Sequence, residues 1–191
     1  MIDQGDGGCA TETDCNPTSE VDIIASVIAT GNRASGEDKS YYRQLAVELA
    51  IKAYDIQFAS PDVNVGAYSS PEDYLTRPGI NLGYQPLFYG GGLTHNVPGL
   101  GTNMKIGESA FTTPGWLGST IGHENEHLQQ ALDGTLTNVE PGSSQNEVDA
   151  YNWELSNAGH FGLTDSEIAK LNTLITPYLN IVLFGTPTPN P

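Results

Sequence analysis

The chain has 191 residues, with 7 Lys and Arg set against 23 Asp and Glu, a formal net charge of −16. At that length a single domain is the expectation. The charge argues against nucleic acid and against anionic membrane surfaces as partners, because both are gripped through clustered basic side chains.

Met1 to Glu20 is polar and acidic, with no basic start and no apolar run, so neither a signal peptide nor a membrane anchor is expected there. Met1 to Thr18 reads as a flexible leader rich in Gly, Asp and Thr. Its Cys9 and Cys15, six positions apart, make either a small disulfide loop or two free thiols. A single domain is predicted over residues 19–185. Its first helix runs from about Glu20 to Thr30, with Ser19 as N-cap and Val21, Ile24, Ala25 and Ile28 as an apolar stripe. The second runs from about Ser40 to Phe58 and carries Leu45, Leu49, Ala53 and Ile56.

From Pro61 to Thr113 Gly, Pro and aromatic residues dominate, so strands there are short; Gln85 to Tyr89 and Met104 to Ala110 are the expected ones. Thr113-Pro114 then opens a helix to about Leu132. Another helix is expected over Ser144 to Ala158. A last one starts at Thr164, where Glu167 completes a capping box, and reaches about Phe184 with a kink at Pro177. Residues 186–191 form a Pro-rich tail.

The segment His123-Glu124-Asn125-Glu126-His127 contains H-E-x-x-H on a predicted helix. His123 and His127, at i and i+4, project from one face and can converge on one metal ion. Glu124 lies about 100° around the helix from His123, where a carboxylate can take a proton from water. A hydrolytic zinc site needs a third protein ligand, and Glu147 follows His127 by 20 residues at the start of the next helix. Ser144-x-x-Glu147 is also a capping box, which would turn Glu147 back onto the backbone. An antiparallel return of the chain through Gly134 and Pro141-Gly142 favours the ligand role.

These residues resemble those of the gluzincin metallopeptidases, the thermolysin-like branch of the zincins. The resemblance implies zinc held by His123, His127 and Glu147, with Glu124 as general base, in an α+β zincin-like fold of helices around a small mixed sheet. Ser119-Thr120-Ile121-Gly122-His123-Glu124, Gln129-Gln130 and Asn146-Glu147-Val148-Asp149-Ala150-Tyr151 are similar to the small metallopeptidase domains at the C-termini of bacterial Rhs-type and other polymorphic toxins. That likeness covers about Met104 to Gly159. It implies a toxin or effector released from a larger polypeptide, a protein or peptide substrate, and an immunity protein as partner. Thermolysin has Asp four residues after its third ligand, where this chain has Tyr151. Glu154 and Asp149 are the alternatives for the acceptor behind a ligand histidine, and Glu154 shares a helical face with Glu147.

The predicted strand Met104 to Ala110 is either a substrate-lining edge strand, as in zincins, or an interior one. Tyr151, His160, His95 and Tyr89 are the candidates for an oxyanion donor. Two other functions fit the same residues: a binding module stabilised by zinc, and a metal-dependent hydrolase of a non-protein amide. Glu124 speaks against the first, because a structural site has no use for a base. Beyond residue 106 ten acidic residues face only Lys170, a balance that suits basic substrates and equally serves solubility.

Overall fold

Ser19 accepts the Asp22 N–H at 3.1 Å while the Asp22 carboxylate accepts the Ser19 N–H at 3.2 Å, and this capping box opens α1 (Glu20–Arg33). The structure is a computed structural model that describes residues 19–70, 72–139 and 141–185. The leader with Cys9 and Cys15 and the Pro-rich tail lie outside them. Helix α1 buries Ile24 and Ile28, whereas Val21 of the predicted stripe is exposed. Helix α2 (Gly36–Ala53) starts and stops about one turn earlier than the apolar spacing suggests. Asp55 takes a left-handed φ of 46°, and the Ile56 N–H bonds back to the Ile51 carbonyl, closing the helix before Phe58.

The sheet holds four strands in the order β1-β2-β4-β3: β1 (Val63–Val65), β2 (Gly79–Tyr84), β3 (Gly92–Val97) and β4 (Gly101–Ile106). The first two pairings are parallel; β3 runs antiparallel to β4 at one edge. A short helix, α3 (Asp73–Thr76), precedes β2. The strand expected over Gln85 to Tyr89 is absent, because Pro86 has no N–H for the ladder and Leu87 turns with φ 66°. The strand expected over Met104 to Ala110 ends at Ile106, and a 3-10 turn follows over Glu108–Ala110. It is interior, so the edge strand beside the helices is β3 rather than the Met104 segment.

Helix α4 (Pro114–Leu132) has the predicted bounds, with Thr113 accepting the Trp116 N–H at 3.0 Å. Its face of small residues decides what packs on it. A Cβ at Gly122 would lie 2.3 Å from the Trp153 ring, and one at Gly118 would lie 2.6 Å from Tyr54 and 2.9 Å from Phe161. These glycines therefore answer to close packing rather than to backbone conformation. Trp153 belongs to α5 (Gly142–Ser156), which begins two residues before Ser144; α6 (Ala158–Phe161) follows as a separate turn. Thr164 and Glu167 form the expected capping box of α7 (Asp165–Phe184), which contains Pro177. The core gathers Ile24, Val47, Leu82, Met104, Leu117 and Ile121 between α1, α2, α4 and the sheet. This is an α+β fold of helices with a small mixed sheet. Among the described residues no helix is long and apolar enough to cross a membrane.

Candidate metal centre

The tight fit of Trp153 on Gly122 brings α5 against α4, so the turn that carries Glu147 faces the two histidines. His123 Nε2 and His127 Nε2 lie 3.1 Å apart; Glu147 Oε2 is 3.5 Å from the first and Glu147 Oε1 is 3.4 Å from the second. The atoms through which these residues would bind an ion lie within 4.8 Å of one another. Four ligands held tetrahedrally at about 2.0–2.2 Å from an ion stand about 3.3–3.6 Å apart, so the triangle has the size an ion requires.

The far side of each ring fixes its tautomer. His123 Nδ1 donates to Glu154 Oε1 at 2.7 Å, and Ser119 Oγ donates to Glu154 Oε2 at 2.5 Å. His127 Nδ1 donates to Gln130 Oε1 at 2.8 Å. That amide cannot be reversed without loss, because Gln130 Nε2 donates to the Asn146 carbonyl at 3.1 Å. With a proton on both Nδ1 atoms, two Nε2 lone pairs point at each other across 3.1 Å in front of a carboxylate. Such an arrangement demands a cation between them, a proton or a metal ion. The group His123, His127 and Glu147 can hold a metal ion.

The electrostatics agree. Burial works against a charge on His123, but hydrogen bonds to Glu147 and Glu154 carry its imidazole up to about 10. His127 is raised as well, with the Glu147 bond outweighing burial. Burial opposes the Glu147 charge too, yet the two histidines hold its carboxyl down at about 2. Positive charge is thus drawn to the side of the rings where an ion would sit.

Glu124 is 2% exposed, and burial raises its carboxyl above the ordinary range. Thr94 Oγ1 donates to its Oε2 at 2.7 Å. His123, His127, Glu147 and Glu124 line one cleft of about 540 Å³, walled by Gly92 and Thr94 of β3 and by Leu171 and Tyr178 of α7.

The other predicted residues divide between cleft and periphery. Glu154 stands directly behind His123, whereas Asp149 is exposed and accepts a bond from Gln145 at 2.8 Å. Tyr151 lines the cleft with its ring centroid 4.7 Å from that of His123, and burial holds its hydroxyl well above the usual tyrosine range. His160 lies elsewhere, its Nε2 2.7 Å from the Tyr54 carbonyl. Tyr89 is exposed beside a different hollow near Lys39, and His95 does not line the cleft. Glu147 is the sixth residue of α5, so it caps nothing.

Sequence reasoning gave no role to Gln130, Thr94 or Gly92. Gln130 follows His127 by three positions, a spacing that could have nominated it as the partner of that ring. Thr94 and Gly92 arrive from a strand some 30 residues away and leave no local signal. No family model, no curated protein and no solved structure matches this chain.

Proposed function

We propose that the protein is a zinc-dependent endopeptidase of gluzincin type, with His123, His127 and Glu147 as ligands and Glu124 as general base. The observation that carries this reading is the buried Glu124 carboxylate sharing one cleft with three converging ligand side chains. Two imidazoles and one carboxylate suit zinc, and three protein ligands leave a tetrahedral position open, as a hydrolytic site requires. When bound, zinc supplies a Lewis acid for the scissile carbonyl and lowers the pKa of water.

The chain's own residues do the rest. Glu147 places one negative charge among the ligands, and Glu154 with Ser119 fixes the His123 ring so that Nε2 faces inward. Glu124 takes the proton of the attacking water and passes it to the leaving amine; a raised carboxyl pKa suits a group that must both accept and return a proton near neutrality. Tyr151 is the candidate oxyanion donor that lies within the cleft. A zincin-like fold fits the order of edge strand β3, motif helix α4 and ligand helix α5. The toxin or effector role, with its immunity partner, rests on the sequence resemblance alone.

Glu124→Gln tests the assignment, since it removes the base and leaves the ligands. Wild type and variant are incubated with a proteome-derived peptide library, and new N-termini are read by mass spectrometry. The expected result is chelator-sensitive cleavage by wild type, reduced about 10²–10⁴-fold in a variant that still holds zinc. Undiminished cleavage by the variant would remove Glu124 from the mechanism. Absence of cleavage by wild type would contradict the peptidase reading itself.

A further inference from the structure

We infer that strand β3 sets the position of the general base, through the Thr94 hydroxyl on one carboxylate oxygen and the missing side chain of Gly92 beside the other. The inference rests on Glu124 being that base.

Gly92 and Thr94 are two apart on β3, hence on one face of the sheet, and both approach α4. A Cβ at Gly92 would lie 2.1 Å from Glu124 Oε1 and 2.6 Å from its Cδ and Cγ. Gly92 does not have the positive φ that would call for glycine, so the requirement here is space for the carboxylate. On the other side, Thr94 Oγ1 stands 2.7 Å from Glu124 Oε2, and it is 3.2 Å from the Glu124 carbonyl. One hydroxyl proton serves mainly the nearer, charged acceptor. Among the described residues no other side chain donates to this carboxylate. Glu124 has little water to replace such a bond, being 2% exposed.

Two consequences follow. Oε2 is engaged, which leaves Oε1 as the oxygen to meet the proton of water. The carboxylate is also held against β3 rather than swinging across to the histidines. Thr94 and Gly92 are therefore positioning residues: neither belongs to the group of candidate ligands, and both act through Glu124. Misplacing a reacting group by about 1 Å costs on the order of 10² in rate.

The test compares T94V, T94S and G92A with wild type on a fluorogenic peptide built around the strongest cleavage site from the library, with zinc content measured for each. T94V is expected to lower kcat about 10–100-fold with KM within about twofold and zinc unchanged, and T94S to recover kcat to within about threefold. In an E124Q background T94V is expected to cost nothing further, because there is no base left to position. Melting temperatures of metal-free T94V, E124A and their double variant read the bond without turnover, since Glu124→Ala removes the acceptor that Glu124→Gln would keep, and less-than-additive losses are expected. G92A is expected to fall with T94V in kcat; should it fail to fold, the Thr94 series still decides. A T94V enzyme with wild-type kcat, an equal loss in the E124Q background, or additive melting losses would overturn the inference while leaving the peptidase reading intact. A wild type without chelator-sensitive cleavage would overturn both, and additive melting losses would separately show that the bond is not made.

Discussion

The Trp153 ring fills the space that any side chain at Gly122 would need, with ring carbons 2.3 and 2.4 Å from the position of a Cβ there. Gly122 immediately precedes the first histidine of the motif, and Trp153 immediately precedes Glu154, the acceptor behind that histidine. The same contact that packs α5 on α4 thus sets how far Glu147 and Glu154 stand from the rings.

Gly122→Ala is expected to destabilise the metal-free protein by about 1–3 kcal/mol, the usual cost of overpacking. It is also expected to weaken metal binding, because α5 must move outward. Chemical denaturation together with zinc titration checks both. A variant of wild-type affinity would mean that the spacing of α4 and α5 does not govern the site.

Glu154 accepts from His123 Nδ1 at 2.7 Å and from Ser119 Oγ at 2.5 Å, deep in the interior. Glu154→Gln is expected to lower zinc affinity about 10–100-fold, the typical effect of losing the acceptor that orients a ligand histidine. Asp149→Asn is expected to leave affinity unchanged, since that carboxylate is exposed and bonded to Gln145. Equal effects from the two substitutions would contradict the assignment.

Much of the site could be read from the chain because it is local. His123, Glu124 and His127 lie within five residues of one helix, and a helix converts spacing into direction. The choice of Glu154 over Asp149 follows from the same rule, as Glu154 is seven residues on from Glu147 and returns to its face. The sheet was less legible. Its strands are three to six residues long and rich in Gly and polar residues, so alternation gives little signal, and Pro86 ends β2 where an apolar run continues. Thr94 and Gly92 meet Glu124 only through the fold, which no sequence spacing encodes.

Glu147 was open to two readings, ligand and helix cap, and they differ in energy. Because α5 begins at Gly142, the carboxylate has no cap to make, and it faces both histidines. Glu147→Gln is therefore expected to lose zinc affinity severely, without the loss of helix stability, about 0.5–2 kcal/mol, that removing a cap brings. Zinc titration and thermal unfolding of the metal-free variant separate the two. Full affinity in Glu147→Gln would place the third ligand elsewhere.

Away from the cleft, Glu108 accepts from the Tyr84 hydroxyl at 2.6 Å and pairs with Arg43 at 2.9 Å and Lys39 at 3.0 Å. Burial opposes its charge, but the Tyr84 and Lys39 bonds and the Arg43 guanidinium hold its carboxyl below the usual range. A depressed folded value contributes stability that is complete above the unfolded carboxylate value, near 4.3, and is lost as pH falls through the folded one. Glu108→Gln is expected to cost about 2–3 kcal/mol at pH 7, since it leaves the Arg43 charge buried without its counter-ion. The difference from wild type is expected to shrink below about pH 4. Denaturant titrations at pH 7 and pH 3.5 check the sign, and a constant difference would show that the Glu108 charge is not what stabilises the pair.

The most direct measurement is the zinc content of purified wild type, His123→Ala, His127→Ala and Glu147→Gln, dialysed against one zinc buffer and analysed by mass spectrometry of the metal. About one zinc per chain is expected in wild type and a large loss in all three variants, because His123, His127 and Glu147 present ligand atoms within 4.8 Å of one another. Equal zinc in all four proteins, or none in wild type at saturating metal, would contradict it.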